Sequence, residues 1–218
     1  MTRRTRAVVF DLDGLIFNTE DLYQYVGSVV LQRRGKNFDD ELLDRMMGRQ
    51  PKIALQIMID YHDLDDIVEQ LELESGEVFL EILDERLELM PGFADLLQSL
   101  EQATIPRAVA TSSGREFTTN VLRRFNLQQR FEFVLTSEDV RQGKPEPEVY
   151  LTAAQRFGID CSEMLVLEDS QIGCRAAVAA GAFAVAVPTG RSRSHDFAGA
   201  SLIADTLADR KIYEALGL

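Results

Sequence analysis

The stretch Ala7-Val8-Val9-Phe10-Asp11-Leu12-Asp13-Gly14 changes character at one point: four apolar residues in a row give way to two carboxylates two residues apart and then a glycine. Apolarity without alternation over that length suits a strand covered on both faces, as in a parallel sheet with helices above and below it. Three further runs repeat it, Arg107-Ala108-Val109-Ala110, Met164-Leu165-Val166-Leu167 and Phe183-Ala184-Val185-Ala186-Val187, and Phe131-Glu132-Phe133-Val134-Leu135 is a weaker one. The strong runs end alike, in polar or small residues: Asp11, Thr111-Ser112, Glu168-Asp169 and Pro188-Thr189-Gly190. Ligands of open α/β sheets bind beyond the carboxyl ends of the strands, so these endings are expected to converge on one crevice.

From Asn18 to Met90 the pattern is helical instead, rich in Leu, Ile, Met, Glu and Asp. Leu22, Val26, Val29, Val30 and Arg33 share one face of a helix, and another helix begins after Pro51. Breaks at Gly35, at Gly48-Arg49-Gln50-Pro51 and at Asp63 divide the block into four or five helices. It is too large for a crossover between the first two strands. The expected organisation is an α/β core with a parallel sheet, residues 1–17 and 91–218, and an inserted α-helical cap domain, residues 18–90. Phe17-Asn18 and Met90-Pro91-Gly92 would be its hinges.

The chain has 218 residues, 45% of them hydrophobic, enough for one good core and a smaller accessory unit. Its net charge of −13 leaves no basic surface for a nucleic-acid backbone or an anionic membrane. An anionic substrate must therefore be met locally, by a metal ion, a lysine or helix N-termini. Cys161 and Cys174 have no metal-ligand spacing and read as reduced thiols. Thr2-Arg3-Arg4-Thr5-Arg6 is basic, but only Ala7 to Phe10 follow before Asp11, too short for a signal peptide, and no apolar run is long enough to span a membrane. A cytoplasmic protein, monomer or homodimer, is expected.

Asp11 and Asp13 can face the same crevice if strand geometry persists past Phe10, because alternate side chains share a face. Turn or capping duty explains such a pair equally well. Thr111-Ser112-Ser113-Gly114 precedes a helical pattern from Arg115 to Phe125, and a hydroxyl with helix N-terminal amides can hold a phosphate, although a plain N-cap reads the same way. Lys144 stands in Gly143-Lys144-Pro145-Glu146-Pro147, where Pro145 extends the lysine backbone and Pro147 suits the start of the next helix. Glu168-Asp169-Ser170 opens a helix containing Gly173. Together the endings crowd Asp11, Asp13, Glu168 and Asp169 into one place, which calls for a cation between them; Mg²⁺ fits carboxylates combined with a substrate phosphate.

In this order, Asp11-Leu12-Asp13-Gly14, Thr111-Ser112, Lys144-Pro145 and Glu168-Asp169-Ser170 resemble the motifs of the haloacid dehalogenase superfamily over essentially the whole chain. The helical insert is similar to the cap of its phosphatase and β-phosphoglucomutase branch. The resemblance implies a Rossmannoid three-layer core and a Mg²⁺-dependent phosphatase of small phosphorylated metabolites, sugar phosphates in particular. It further implies that Asp11 is nucleophile and metal ligand. Asp13 would be the general acid and base, with its carbonyl on the metal. Thr111 and the Ser112 amide would hold the phosphoryl group, Lys144 would pair Asp11 and phosphate, and Asp169 with Glu168 would complete the Mg²⁺ site. Arg49 resembles a cap residue that reaches the substrate phosphate; a surface arginine at a helix break is the other reading. A phosphomutase of this branch would be expected to carry a histidine where Tyr23 or Gln24 stands, and a later cap lysine, yet none occurs between Lys52 and Lys144. Hydrolysis is therefore favoured over the mutase, and both over a non-catalytic binder of phosphorylated ligands. His62 and His195 stand outside any ligand spacing, and Arg191-Ser192-Arg193-Ser194-His195 reads as a mobile loop.

Overall fold

The computed structural model describes residues 5–47 and 49–218; Thr2-Arg3-Arg4 and the helix break expected at Gly48 lie outside them. Strands β1 (Ala7–Phe10), β2 (Arg107–Ala110), β3 (Val134–Leu135), β4 (Met164–Glu168), β5 (Phe183–Ala186) and β6 (Leu202–Ile203) form one sheet in the order β3-β2-β1-β4-β5-β6. Every pairing is parallel. The four strong apolar runs become β1, β2, β4 and β5 to within one residue. The weaker run shrinks to β3, and β6 was not anticipated. Both lie at sheet edges and are two residues long, too short for a hydrophobic pattern to announce them.

Period-two alternation sorts the strand residues onto two faces. Val8, Phe10, Val109, Leu165, Leu167 and Val185 join the apolar layer of α5 (Phe93–Gln102), α6 (Arg115–Arg124) and α9 (Arg210–Leu216). On the opposite face, Ala108, Ala110, Ala184 and Ala186 meet Ala153 and Ala154 of α7 (Glu148–Phe157) and Ala176 and Ala177 of α8 (Gln171–Ala179). The result is a three-layer α/β core. One face is filled by large side chains, each worth about 2 kcal/mol when fully buried, and the other mixes these alanines with Val9, Met164, Val166 and Tyr150.

Four helices are described between β1 and α5: α1 (Thr19–Gln32), α2 (Asp40–Met46), α3 (Pro51–His62) and α4 (Val68–Arg86). Leu22, Val26 and Val30 of the expected α1 face are buried. Asp39 caps α2 by accepting from the Leu42 amide at 2.9 Å. Pro51 starts α3, where its fixed φ suits the helix, and Asp63 ends it in the left-handed region at φ 50°. The two chain crossings into this block are stitched together. Asn18 Nδ2 donates to Arg86 O at 3.0 Å, the Glu88 amide to Asn18 Oδ1 at 2.8 Å, and the Met90 amide to Ile16 O at 2.8 Å. Among the described residues no helix is long and apolar enough to cross a membrane.

Candidate active site

Strand order and register bring the first and last motifs together. The strand order reverses between β1 and β4, the position at which open sheets form a crevice. Phe10 pairs with Leu167, so Asp11 follows one rung later beside Glu168, and its amide donates to Leu167 O at 3.0 Å. Asp11, Glu168 and Asp169 are all buried, and one oxygen from each lies within 4.8 Å of the others.

Lys144 enters from the turn before α7 and is itself buried. Its Nζ donates to Asp11 Oδ1 at 2.5 Å, to Glu168 Oε1 at 2.6 Å and to Ala110 O at 3.0 Å. Burial alone would lower the Lys144 pKa, but the Asp11 and Glu168 carboxylates reverse that and hold it above its ordinary range, so the ammonium stays charged. Burial, with Glu168 and Asp13 nearby, pushes the Asp11 carboxyl up, and Lys144 opposes the shift. Glu168 is fully enclosed. Its Oε1 also accepts from the Tyr150 hydroxyl, and its Oε2 from Ser170 Oγ at 3.2 Å. Burial and the carboxylates of Glu168 and Asp11 push the Tyr150 phenol up, keeping it a donor. Ser170 meanwhile accepts from the Gly173 amide at 3.1 Å and caps α8. Ser170 thus both caps α8 and holds Glu168.

The Asp13 carboxylate is not one of the three converging groups, yet it lies near enough to Asp11 to push that carboxyl up, and hydroxyls hold it. Its Oδ2 accepts from Ser113 Oγ at 2.6 Å and Thr111 Oγ1 at 3.1 Å, and its Oδ1 from Tyr23 Oη at 3.4 Å. The expected cradle of amides after β2 is also partly taken. The Ser113 amide donates to Thr111 Oγ1 at 3.0 Å, and the first amide of α6, on Arg115, donates to Glu138. Ser112 lies half-buried between those two hydroxyl residues.

Arg49 stands apart. Its exposed side chain donates from Nε to Arg45 O at 3.0 Å and lines a recess of about 380 Å³ with Arg45, Ile57, Asp60 and Tyr61, which none of the crevice carboxylates borders. The neighbouring Gln50 lies against Gly143, next to Lys144: a Cβ on that glycine would sit 2.5 Å from Gln50 Nε2. Residues 191–195 are not a free loop either. Gly190–Ser194 is a 3-10 turn capped by Thr189, with Ser192 buried, and His195 Nε2 lies 3.9 Å from Asp44 of α2.

Sequence reasoning gave no role to Ser113, Tyr23 or Tyr150. A hydroxyl two residues after Thr111 was a usable signal for Ser113, and the partner that a buried phenol requires was one for Tyr150. Tyr23 was noted only as standing where a mutase histidine would, and its partner is ten residues away across the first turn of α1.

Three buried carboxylates with converging oxygens form a hard-oxygen donor set of the kind that fits Mg²⁺. A family model described as haloacid dehalogenase-like hydrolase matches residues 8–187. The chain is 36% identical over 191 residues to (DL)-glycerol-3-phosphatase 2 of Arabidopsis thaliana, covering 84% of this chain and 80% of that one. It is 33% identical over 215 residues to a probable pseudouridine-5'-phosphatase of Drosophila melanogaster, covering 96% and 93%. CbbY from Rhodobacter sphaeroides, solved in complex with phosphate, matches with a TM-score of 0.85 at 26% identity over 98% of this chain and 100% of that one.

Proposed function

Because the chain belongs to the haloacid dehalogenase-like hydrolase family, we propose that it is a phosphatase of small phosphate monoesters, sugar phosphates among them, working through a phosphoryl group carried on Asp11. The observation that carries this reading is the buried Asp11–Lys144 pair beside Glu168 and Asp169, with a second carboxylate, Asp13, held separately by hydroxyls. In this reading Lys144 fixes Asp11 Oδ1, and the other carboxylate oxygen attacks phosphorus. The bond from phosphorus to the leaving oxygen breaks, and Asp13 gives that oxygen its proton. Asp13, now a carboxylate, then takes a proton from water as the water attacks the aspartyl-phosphate, releasing phosphate and restoring the Asp11 carboxylate and the Asp13 acid. A carboxylate nucleophile thereby divides one difficult hydrolysis into two easier steps.

Lys144, Thr111 and the Ser112 amide would neutralise charge on the transferring oxygens, the main requirement of phosphoryl transfer. Asp11, Glu168 and Asp169, with the Asp13 carbonyl, would hold Mg²⁺. When bound, it supplies positive charge that lets a phosphate dianion approach these carboxylates. Residues 18–90 act as the cap that excludes bulk water, over a core of residues 1–17 and 91–218.

Phosphorus NMR of the protein with Mg²⁺ and a panel of sugar phosphates and other monoesters tests the reading, with Asp11→Asn as control. Accumulating inorganic phosphate in the wild type and none in a folded Asp11→Asn protein is expected. Normal turnover by Asp11→Asn would sink the aspartyl-phosphate mechanism, and isomerised sugar phosphate without phosphate release would replace the phosphatase by a mutase.

A further inference from the structure

Tyr23 holds a place that the mechanism above does not use. It lies on α1, in the inserted block, yet its hydroxyl reaches Asp13 Oδ1 at 3.4 Å. The opposite oxygen, Oδ2, is fixed by Ser113 and Thr111 from the turn after β2. With Oδ2 pinned, the freedom left to the carboxylate is a swing of Oδ1, and the Tyr23 hydroxyl checks that swing. Oδ1 is also the oxygen turned away from the β2 turn, and so the one placed to exchange a proton with a leaving group.

The Tyr23 ring is positioned from both sides of the crevice. Phe79 of α4 lies 5.1 Å from it and Phe117 of α6 lies 6.4 Å away, and these two meet edge to face at 5.3 Å. Helices of the insert and of the core thus share one aromatic cluster next to Asp13. The ring remains 39% exposed, so the cluster is not a closed core. We infer that Tyr23 is a positioning residue for Asp13: its hydroxyl aims the carboxylate that protonates the leaving oxygen, and does so only while the inserted helices sit over the core. This rests on the phosphatase reading and on Asp13 as its acid.

A positioned acid matters only for a leaving group that needs a proton. An alkoxide leaving from glycerol phosphate or a hexose phosphate needs one; nitrophenolate leaving from p-nitrophenyl phosphate does not. Tyr23→Phe keeps the ring and its contacts and removes only the hydroxyl. Steady-state kinetics of wild type and Tyr23→Phe with Mg²⁺, on one alkyl ester and on p-nitrophenyl phosphate, separate the possibilities. The expected result is a loss of about tenfold in kcat on the alkyl ester, the scale of one hydrogen bond to a charged group. KM and the p-nitrophenyl phosphate rate should stay within about twofold, as acid catalysis would be the only term lost. Equal losses on both esters would show a general structural effect and overturn the inference alone, as would an unchanged alkyl rate. A wild type that hydrolyses neither ester would overturn the phosphatase reading, and the inference with it.

Discussion

Gly173→Ala puts a methyl group where the structure has no room for one. Gly173 lies in the first turn of α8, with its Cα pressed against the Glu168 carboxylate. An ideal Cβ there would lie 1.9 Å from Oε1, 2.1 Å from Cδ and 2.2 Å from Oε2. Ordinary contact needs about 3.5 Å, so Glu168 must move by more than about 1 Å. It cannot swing into solvent, being fully buried, and any movement breaks its bonds to Lys144 at 2.6 Å, to Tyr150 and to Ser170 at 3.2 Å. Overpacking costs about 1–3 kcal/mol, and a weakened charged hydrogen bond about 2 kcal/mol more. The better helix propensity of alanine returns about 1 kcal/mol. The net loss is about 2–4 kcal/mol, which lowers the melting temperature of a chain this size by about 5–15 °C. Gly76→Ala is the control: the same substitution within α4, where the added Cβ meets nothing within 4 Å, should stabilise by about 0.5–1 kcal/mol. Urea and thermal unfolding of the two variants measure the difference. A Gly173→Ala protein as stable as Gly76→Ala would refute the close approach from which the loss is derived.

Arg34→Met removes a guanidinium that reaches Asp66 at 2.8 and 2.9 Å, Glu74 at 2.7 Å and Val30 O at 2.9 Å, and should cost about 2 kcal/mol in urea unfolding at neutral pH. Hydrogen bonds to Arg34 hold the Asp66 and Glu74 carboxyls below their ordinary range, so their contribution is complete above the unfolded values of about 4 and is lost as pH falls through the lower folded ones. The gap between wild type and Arg34→Met should therefore narrow as the medium is acidified below about pH 4, and a constant gap would refute it. Asn18→Asp keeps the acceptor for the Glu88 amide but loses the donor to Arg86 O, and should cost about 1 kcal/mol in the same assay, with Asn18→Ala costing more.

Asp11, Glu168 and Asp169 were legible because they end or follow apolar runs that parallel register carries to one end of the sheet, and Lys144 because Pro145 and Pro147 flank it in a turn. Contacts that depend on side-chain direction were not legible. No apolar run or spacing announces that the Thr111, Ser113 and Tyr23 hydroxyls hold the Asp13 carboxylate. Residues 191–195 looked mobile at the end of the last strong apolar run, yet the Thr189–Ser192 cap depends on backbone geometry rather than composition. The expectation for Arg49 came from its resemblance to a cap residue, and sequence position could not tell which of α2's own carbonyls would hold the side chain.

The alanine-lined face of the sheet has a mechanical consequence for the charges mounted on it. Alanine has no side-chain rotamers, so Ala108, Ala110, Ala153, Ala154, Ala176 and Ala177 cannot absorb an error by turning a torsion, as the Leu and Phe residues of the other face can. Where alanine meets alanine on that face, the spacing between the sheet and α7 and α8 is set by the backbone. Tyr150 projects from α7, Glu168 ends β4 and Ser170 caps α8, so the hydrogen bonds that orient Glu168 inherit this rigidity. One face works as a mould and the other as putty. Variation that enlarges a residue on the moulded face displaces the charged groups directly, whereas the same added volume on the opposite face can be spread through repacking.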